Sequence, residues 1–212
     1  MNFKYYNTDR LIIFVLIMSV VYNYVSEKIE VFISKYEFFE KIYSYVGMFS
    51  TVTLITTTIL FIDRIGWKYK IFSTWLIDIP NLNGRYKGEL ISSYQSLPGV
   101  FVKKIFVMEI KQTASKLHVY SFFGELGNNS VTSSSISVSE QLTLESNNTS
   151  NLFYIFTNET APLLNLNNHL GTAKMKYFRD IKKLDGEYYN QRGNSGKIEV
   201  FFEQAKLLGR LN

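Results

Sequence analysis

The feature that most restricts this chain is an unbroken run from Ile42 to Ile62, 21 residues without a charge. At 1.5 Å per residue it would make a helix of about 30 Å, the thickness of a bilayer's hydrocarbon core. A second apolar run, Leu11–Val25, has 15 uncharged residues. It would cover only about 22 Å and needs Tyr5, Tyr6, Thr8 and a snorkelling Arg10 to extend it. The stretch Tyr22-Asn-Tyr24-Val25-Ser26-Glu27 lacks the small-residue pattern of a cleavage site, which favours an uncleaved span over a signal peptide. Two N-terminal transmembrane helices are therefore expected.

Between the runs, Ile29, Phe32, Ile33, Tyr36 and Phe39 recur at three- and four-residue steps among Glu and Lys. That is the pattern of an amphipathic connector at the lipid surface, or of helical extensions of the spans. Lys4, Arg10, Arg64, Lys68 and Lys70 on one side outnumber Lys28, Lys35 and Lys41 on the other, so both termini are expected in the cytoplasm. Trp67, Tyr69 and Trp75, with lysines between them, form a candidate interfacial collar. Ser44, Thr56 and Thr58 add to the hydroxyls of the second run, in which Gly47, Ser50, Thr51, Thr53 and Thr57 are candidates for a face that drives self-association. The competing reading has each hydroxyl bonding its own i−4 carbonyl.

The chain divides by pattern into residues 1–79, the two spans and their connector, and residues 80–212, an all-β ligand-sensing domain. From Pro80 onward, short alternating runs replace the helical period. Candidate strands are Gly84–Tyr94, Phe101–Gln112, Lys116–Phe123, Val131–Glu145, Leu152–Asn158, Gly171–Arg179, Gly186–Arg192 and Lys197–Glu203, separated by turn residues such as Pro98-Gly99 and Gly193-Asn-Ser-Gly196. Asn128, Asn148 and Asn158 open N-x-S/T triplets and are read as turn asparagines. About eight hairpin-connected strands predict a small closed antiparallel β-barrel of the lipocalin or streptavidin kind, with a sandwich as the alternative.

Alternation assigns faces. Tyr86, Gly88, Leu90, Ser92 and Tyr94 share one side of the first strand, and Val102, Lys104, Phe106, Met108 and Ile110 one side of the second. Ala173, Met175, Tyr177 and Arg179 align in the sixth strand, and Gly186, Tyr188, Asn190 and Arg192 in the seventh. A small barrel normally fills its interior with apolar side chains. Inward Lys104, Arg179 and Arg192 among Tyr86, Tyr94, Tyr177 and Tyr188 instead supply cations for an anion and aromatic faces for flat rings, which suits a nucleotide. The alternative makes Arg192 a structural plug stacked on Tyr86.

Catalytic machinery is not visible, and neither an enzyme, a metal site nor a cofactor is expected. There is no cysteine, which removes thiol chemistry and disulfides. Gly193-Asn-Ser-Gly196-Lys197 lacks the spacing and the flanking helix of a phosphate loop. His118 and His169 stand apart without ligand spacing, and Ser133-Ser-Ser135 reads as a polar strand edge rather than a nucleophile. Glu140 is either an interior carboxylate or the mark of a bulge. The net charge of +5 decides little alone.

Two spans, a basic aromatic collar, Leu82-Asn-Gly84-Arg-Tyr86-Lys-Gly88, eight strands and then Leu184-Asp-Gly186-Glu-Tyr188-Tyr189-Asn-Gln-Arg192-Gly-Asn-Ser-Gly196-Lys-Ile198 make an order of parts that resembles a known family. It is the two-transmembrane β-barrel effectors of bacterial anti-phage CBASS operons, CD-NTase-associated protein 15. The resemblance implies a cyclic dinucleotide second messenger as ligand, made by a CD-NTase that forms no stable complex with the effector. It further implies a ligand-induced homo-oligomer, membrane lipids as the target, an inner-membrane location with a cytoplasmic barrel, and death of the infected cell; DNA and RNA are not expected partners. From another class, a membrane-tethered carrier of an apolar or lipid ligand is the competing function, and a structural scaffold without a pocket is a third.

Overall fold

The computed structural model describes residues 3–36, 50–127, 131–145, 149–160 and 168–211. The chain separates into two compact units, one of residues 1–78 with 113–115, the other of residues 79–112 and 116–212.

In the first unit α1 runs without interruption over Thr8–Ile33, 26 residues. Asn7 caps it by accepting the Arg10 N–H at 3.2 Å, which satisfies one of the unpaired amides of the first turn. None of its residues is buried, and it is long and apolar enough to cross a membrane. The stretch from Ser26 to Ile33 is thus a continuation of the first span and not a separate interfacial helix. It contains neither Gly nor Pro to stop the helix.

The second helix, α2, covers Thr51–Arg64 and takes in the later part of the run Ile42–Ile62. Ser50 has extended backbone and accepts the Thr53 N–H at 3.3 Å, an N-cap that sets the helix start. Gly47 and the rest of 37–49 lie outside the described residues. Of the hydroxyls singled out, Ser50 bonds the Thr53 hydroxyl at 2.9 Å and Thr57 donates to the Thr53 carbonyl at 2.8 Å, so both are satisfied within their own helix. Thr51 is half-buried. Thr58, in contrast, shares a hydrogen bond with the Tyr22 hydroxyl of α1 at 2.5 Å. Beyond α2 the chain folds back: the Asn7 N–H donates to the Leu76 carbonyl at 2.9 Å and Arg10 Nη1 to the Trp75 carbonyl at 2.8 Å. Within the collar Tyr69 and Trp75 are exposed, whereas Trp67 is buried in this unit.

The second unit is a closed barrel in which β1–β8 follow one another in order and β1 pairs with β8. The strands are β1 Gly84–Leu97, β2 Val100–Gln112, β3 Leu117–Glu125, β4 Val131–Leu144, β5 Thr149–Thr160, β6 His169–Phe178, β7 Lys183–Asn190 and β8 Ser195–Gln204, all neighbours antiparallel. The β1–β2 hairpin turns on Pro98-Gly99 with Gly99 at φ 81°, the geometry of a turn that takes Pro at its second and Gly at its third position. Among the described residues four ladders break step, β1–β2, β1–β8, β3–β4 and β4–β5, and two of the shifts bear on the site. β1 shifts register between Ile91 and Gln95, and β4 bulges between Ser137 and Ser139. The bulge reverses the alternation of β4: Ser135 and Ser137 are buried while Ile136 and Val138 are exposed. Beside it Glu140 accepts the Ser137 hydroxyl and lies 3.5 Å from His118 Nδ1, so Glu140 marks a bulge and His118 does have a carboxylate neighbour. Asn158, expected in a turn, lies inside β5, because alternating Leu152, Tyr154 and Phe156 carry the strand through it.

The end of the barrel where the chain enters is filled. Tyr86, Met108, Ile110, Val119, Leu152, Met175, Tyr177, Leu184 and Val200 are all buried, and Tyr86 packs edge-on to Phe202 with ring centroids 5.6 Å apart. On the outer wall, Arg85 is only 1% exposed and Glu109 2%. Arg85 reaches Glu109 at 2.9 Å and Glu203 at 2.6 Å and donates to the carbonyls of Arg210 and Leu211. Glu109 accepts the N–H groups of Leu208 at 2.8 Å and Gly209 at 3.0 Å. The C-terminal tail is therefore strapped across the wall by a fully hydrogen-bonded ion pair. Without the Glu109 charge, Arg85 keeps only the half-exposed Glu203 as a counter-ion, and the tail N–H groups lose their charged acceptor. Glu109→Gln is expected to lower the stability of the barrel by about 3 kcal/mol in urea unfolding followed by circular dichroism, and to expose Lys206 and Arg210 to trypsin; an unchanged midpoint and unchanged cleavage would show that the strap contributes nothing.

Candidate functional site

The opposite end of the barrel, toward the β1–β2 and β7–β8 turns, holds an open cavity of about 600 Å³. That is within the roughly 300–1,000 Å³ of sites that bury most of a small ligand. Its walls come from alternate residues of all eight strands. Leu90, Phe106, Phe123, Tyr154, Phe156, Tyr188 and Ile198 give apolar and aromatic surface. Phe106 and Phe123 are a tilted pair at 5.1 Å, and Tyr154 and Phe156 another at 5.9 Å.

Polar groups are interleaved with these rings. Ser121, Ser135, Asn158 and His169 are successive partners across β3, β4, β5 and β6, and all four line the cavity. Asn190 Nδ2 lies 3.5 Å from His169 Nε2 and extends this row to β7. The Tyr188 hydroxyl donates to Ser92 at 3.0 Å. Burial raises the pKa of both Tyr154 and Tyr188, so each phenol stays a neutral donor.

Charge is confined to three lining side chains, Lys104, Glu125 and Arg192. Lys104 and Glu125 face each other across the β2–β3 ladder, and Lys104 Nζ donates to Thr132 Oγ1 at 3.0 Å. Burial lowers the Lys104 pKa, and the Glu125 charge partly restores it. Arg192 is exposed in the β7–β8 turn. Asn190 Oδ1 organises that turn by accepting the N–H groups of Arg192 and Asn194, each at 3.1 Å.

Of the residues singled out from sequence, Tyr94, Lys104, Tyr188 and Arg192 line the cavity. Tyr94 does so from the rim, 60% exposed, just after the register shift in β1. Tyr86, Tyr177 and Arg179 are not among its lining residues. Tyr86 and Tyr177 bond each other in the filled end, and burial drives the pKa of each upward. Arg179 follows the last residue of β6 and lends its charge to Tyr177. Alternation reports which face a residue takes and is silent on its height along the barrel, so both ends of one inward row were grouped together. Among the lining residues left out were Ser121, Phe123, Ser133, Ser135, Tyr154, Phe156, Asn158 and His169. Alternation along β5 carries the signal for Tyr154, Phe156 and Asn158; for Ser133 and Ser135 the bulge in β4 hid it.

Among the described residues no cluster of three His, Cys, Asp or Glu is placed to hold a metal. No curated protein matches the chain. The family model of the Cap15 cyclic dinucleotide receptor domain matches residues 77–201, which takes in every strand of the barrel except the last residues of β8 and every residue that lines the cavity. A cation-bearing, aromatic cavity and this match lead to the same assignment: the chain belongs to the CBASS Cap15 effector family and carries its cyclic dinucleotide receptor domain.

Proposed function

We propose that this chain is a membrane effector without catalytic activity whose cavity binds a cyclic dinucleotide made by a CD-NTase. The observation that carries this reading is the division of labour in the cavity, with stacking surfaces on the walls and Lys104 and Arg192 at the mouth. A cyclic dinucleotide has the matching parts, two flat bases and two phosphates. Lys104 supplies a partly desolvated cation, stronger toward a phosphate than a solvated one. Arg192 supplies a planar fork on a turn already ordered by Asn190.

In this reading the ligand favours an associated state of the chain, and the population shifts toward it by as much as the ligand discriminates between the two states. The spans then disrupt the inner membrane and the infected cell dies. Both termini and the barrel face the cytoplasm, as a cytosolic messenger requires. One helix long and apolar enough to cross a membrane and the Tyr22–Thr58 bond between α1 and α2 support a membrane-embedded unit. Gly47, Ser50, Thr51, Thr53 and Thr57 remain the proposed association face of that unit, with Ser50, Thr53 and Thr57 the weaker members because their hydroxyls already have local partners.

Titration calorimetry of the full chain in detergent with a cyclic dinucleotide tests the binding reading. Lys104→Met and Arg192→Ala are each expected to weaken binding about tenfold or more, the loss of one charge-assisted contact, and to flatten its salt dependence. Affinity is expected to fall as pH rises through the lowered Lys104 pKa, because the bound phosphate favours the protonated amine that high pH removes; Lys104→Met abolishes that pH dependence. Uptake of an apolar fluorophore without any cyclic dinucleotide binding would favour a lipid carrier instead.

Dye-loaded vesicles of bacterial phospholipid that contain the full chain test the second half. Leakage is expected only after a cyclic dinucleotide is added on the barrel side, and intact vesicles with saturated receptor would contradict membrane disruption.

A further inference from the structure

We propose that the cavity selects an adenine base, stacked on Phe156 and read at its edge by the Asn158 amide; this rests on the cyclic dinucleotide reading above. Asn158 is 5% exposed and lines the cavity. Among the described residues its side chain has no hydrogen-bond partner, and it is flanked across the ladders by Ser135 and His169. The amide is not sealed off from solvent but opens on the cavity it lines, the direction from which a partner can come.

Phe156 supplies the stacking face. It sits two residues before Asn158 on the same side of β5, about 7 Å away along the strand, close to the distance from the middle of a stacked purine to a hydrogen-bond partner at its edge. Its neighbour across the β5–β6 ladder is Gly171. A Cβ on Gly171 would come within 2.3 Å of Phe156 Cζ, so the ring lies against the glycine while it lines the cavity, 6% exposed. Any larger residue at position 171 would push the ring off the wall.

The chemistry of the edge favours adenine. An amide offers one donor beside one acceptor, which matches adenine N7 and N6–H. Guanine is read through O6 and N7 by a cationic fork, or through its N–H groups by a carboxylate. The lining carboxylate, Glu125, faces Lys104, Lys104 bonds Thr132, and the lining guanidinium, Arg192, is exposed in the β7–β8 turn rather than in the row beside Asn158. The row running from Ser121 through Ser135 and Asn158 to Asn190 is neutral in every side chain but His169.

Competition between cyclic di-AMP and cyclic di-GMP on the detergent-solubilised full chain is the test. Cyclic di-AMP is expected to bind at least about tenfold tighter, the discrimination of one good bidentate base contact. Asn158→Asp, nearly the same shape but an acceptor only, is expected to move the ratio toward cyclic di-GMP with the circular dichroism spectrum unchanged, and Phe156→Leu to weaken both ligands alike. The ratio in the unaltered chain needs no variant to fold. Equal or tighter binding of cyclic di-GMP to the unaltered chain, or an Asn158→Asp ratio that does not move, overturns the inference and leaves the cyclic dinucleotide reading intact. Binding of neither ligand overturns both.

Discussion

The ladder that joins β1 to β8 is the constraint on which the rest of the barrel depends. Register partners from Tyr86 with Phe202 to Ser92 with Gly196 close the sheet, so no strand edge is left to pair with another chain. Closure also creates an interior, and the side chains that point into it are then committed to one of two fates. At the entry end Tyr86, Met108, Tyr177 and Leu184 fill the space completely. Toward the mouth, Ser121, Ser135 and Asn158 are too small or too polar to fill it, and an open volume of about 600 Å³ remains. Stability and binding are thus separated along one axis of the same barrel.

The outer wall adds a second device. Arg85 stands beside Tyr86 in β1 and so faces away from the interior, yet it is buried because residues 208–211 cover it. The tail supplies carbonyl acceptors to Arg85 and amide donors to Glu109. Each ion is then bonded on more than one side, the condition under which a buried pair is tolerated. The same strand therefore takes part in the core, in the barrel seam and in tail docking.

Much of this was legible in the chain. Eight alternating runs with turn residues between them anticipated all eight strands, most within a few residues, because period two and Pro-Gly or Asn-Gly punctuation are local properties. What local pattern lacks is height and register. Tyr86 and Tyr188 both point inward, but only Tyr188 reaches the cavity, and Arg179 stands past its strand at the other end. The bulge between Ser137 and Ser139 inverts half of β4, so Ser133 and Ser135 look like an edge in sequence and form cavity wall in space. Likewise Arg85 reads as an exposed wall residue, since the tail that buries it lies more than a hundred residues later. In the first unit, length and charge pattern anticipated α1 and left open whether the residues after Val25 extend it or form a separate interfacial helix; nothing there stops a helix before Ile33, and α1 runs on.

Placement of the ligand is the point on which this account turns, and a structure of the full chain solved with cyclic di-AMP would show it most directly. The account predicts density inside the barrel mouth, a base against Phe156, and phosphates within hydrogen-bond reach of Lys104 or Arg192. Density on the outer wall or among the helices, with the cavity between β1 and β8 empty, would contradict it.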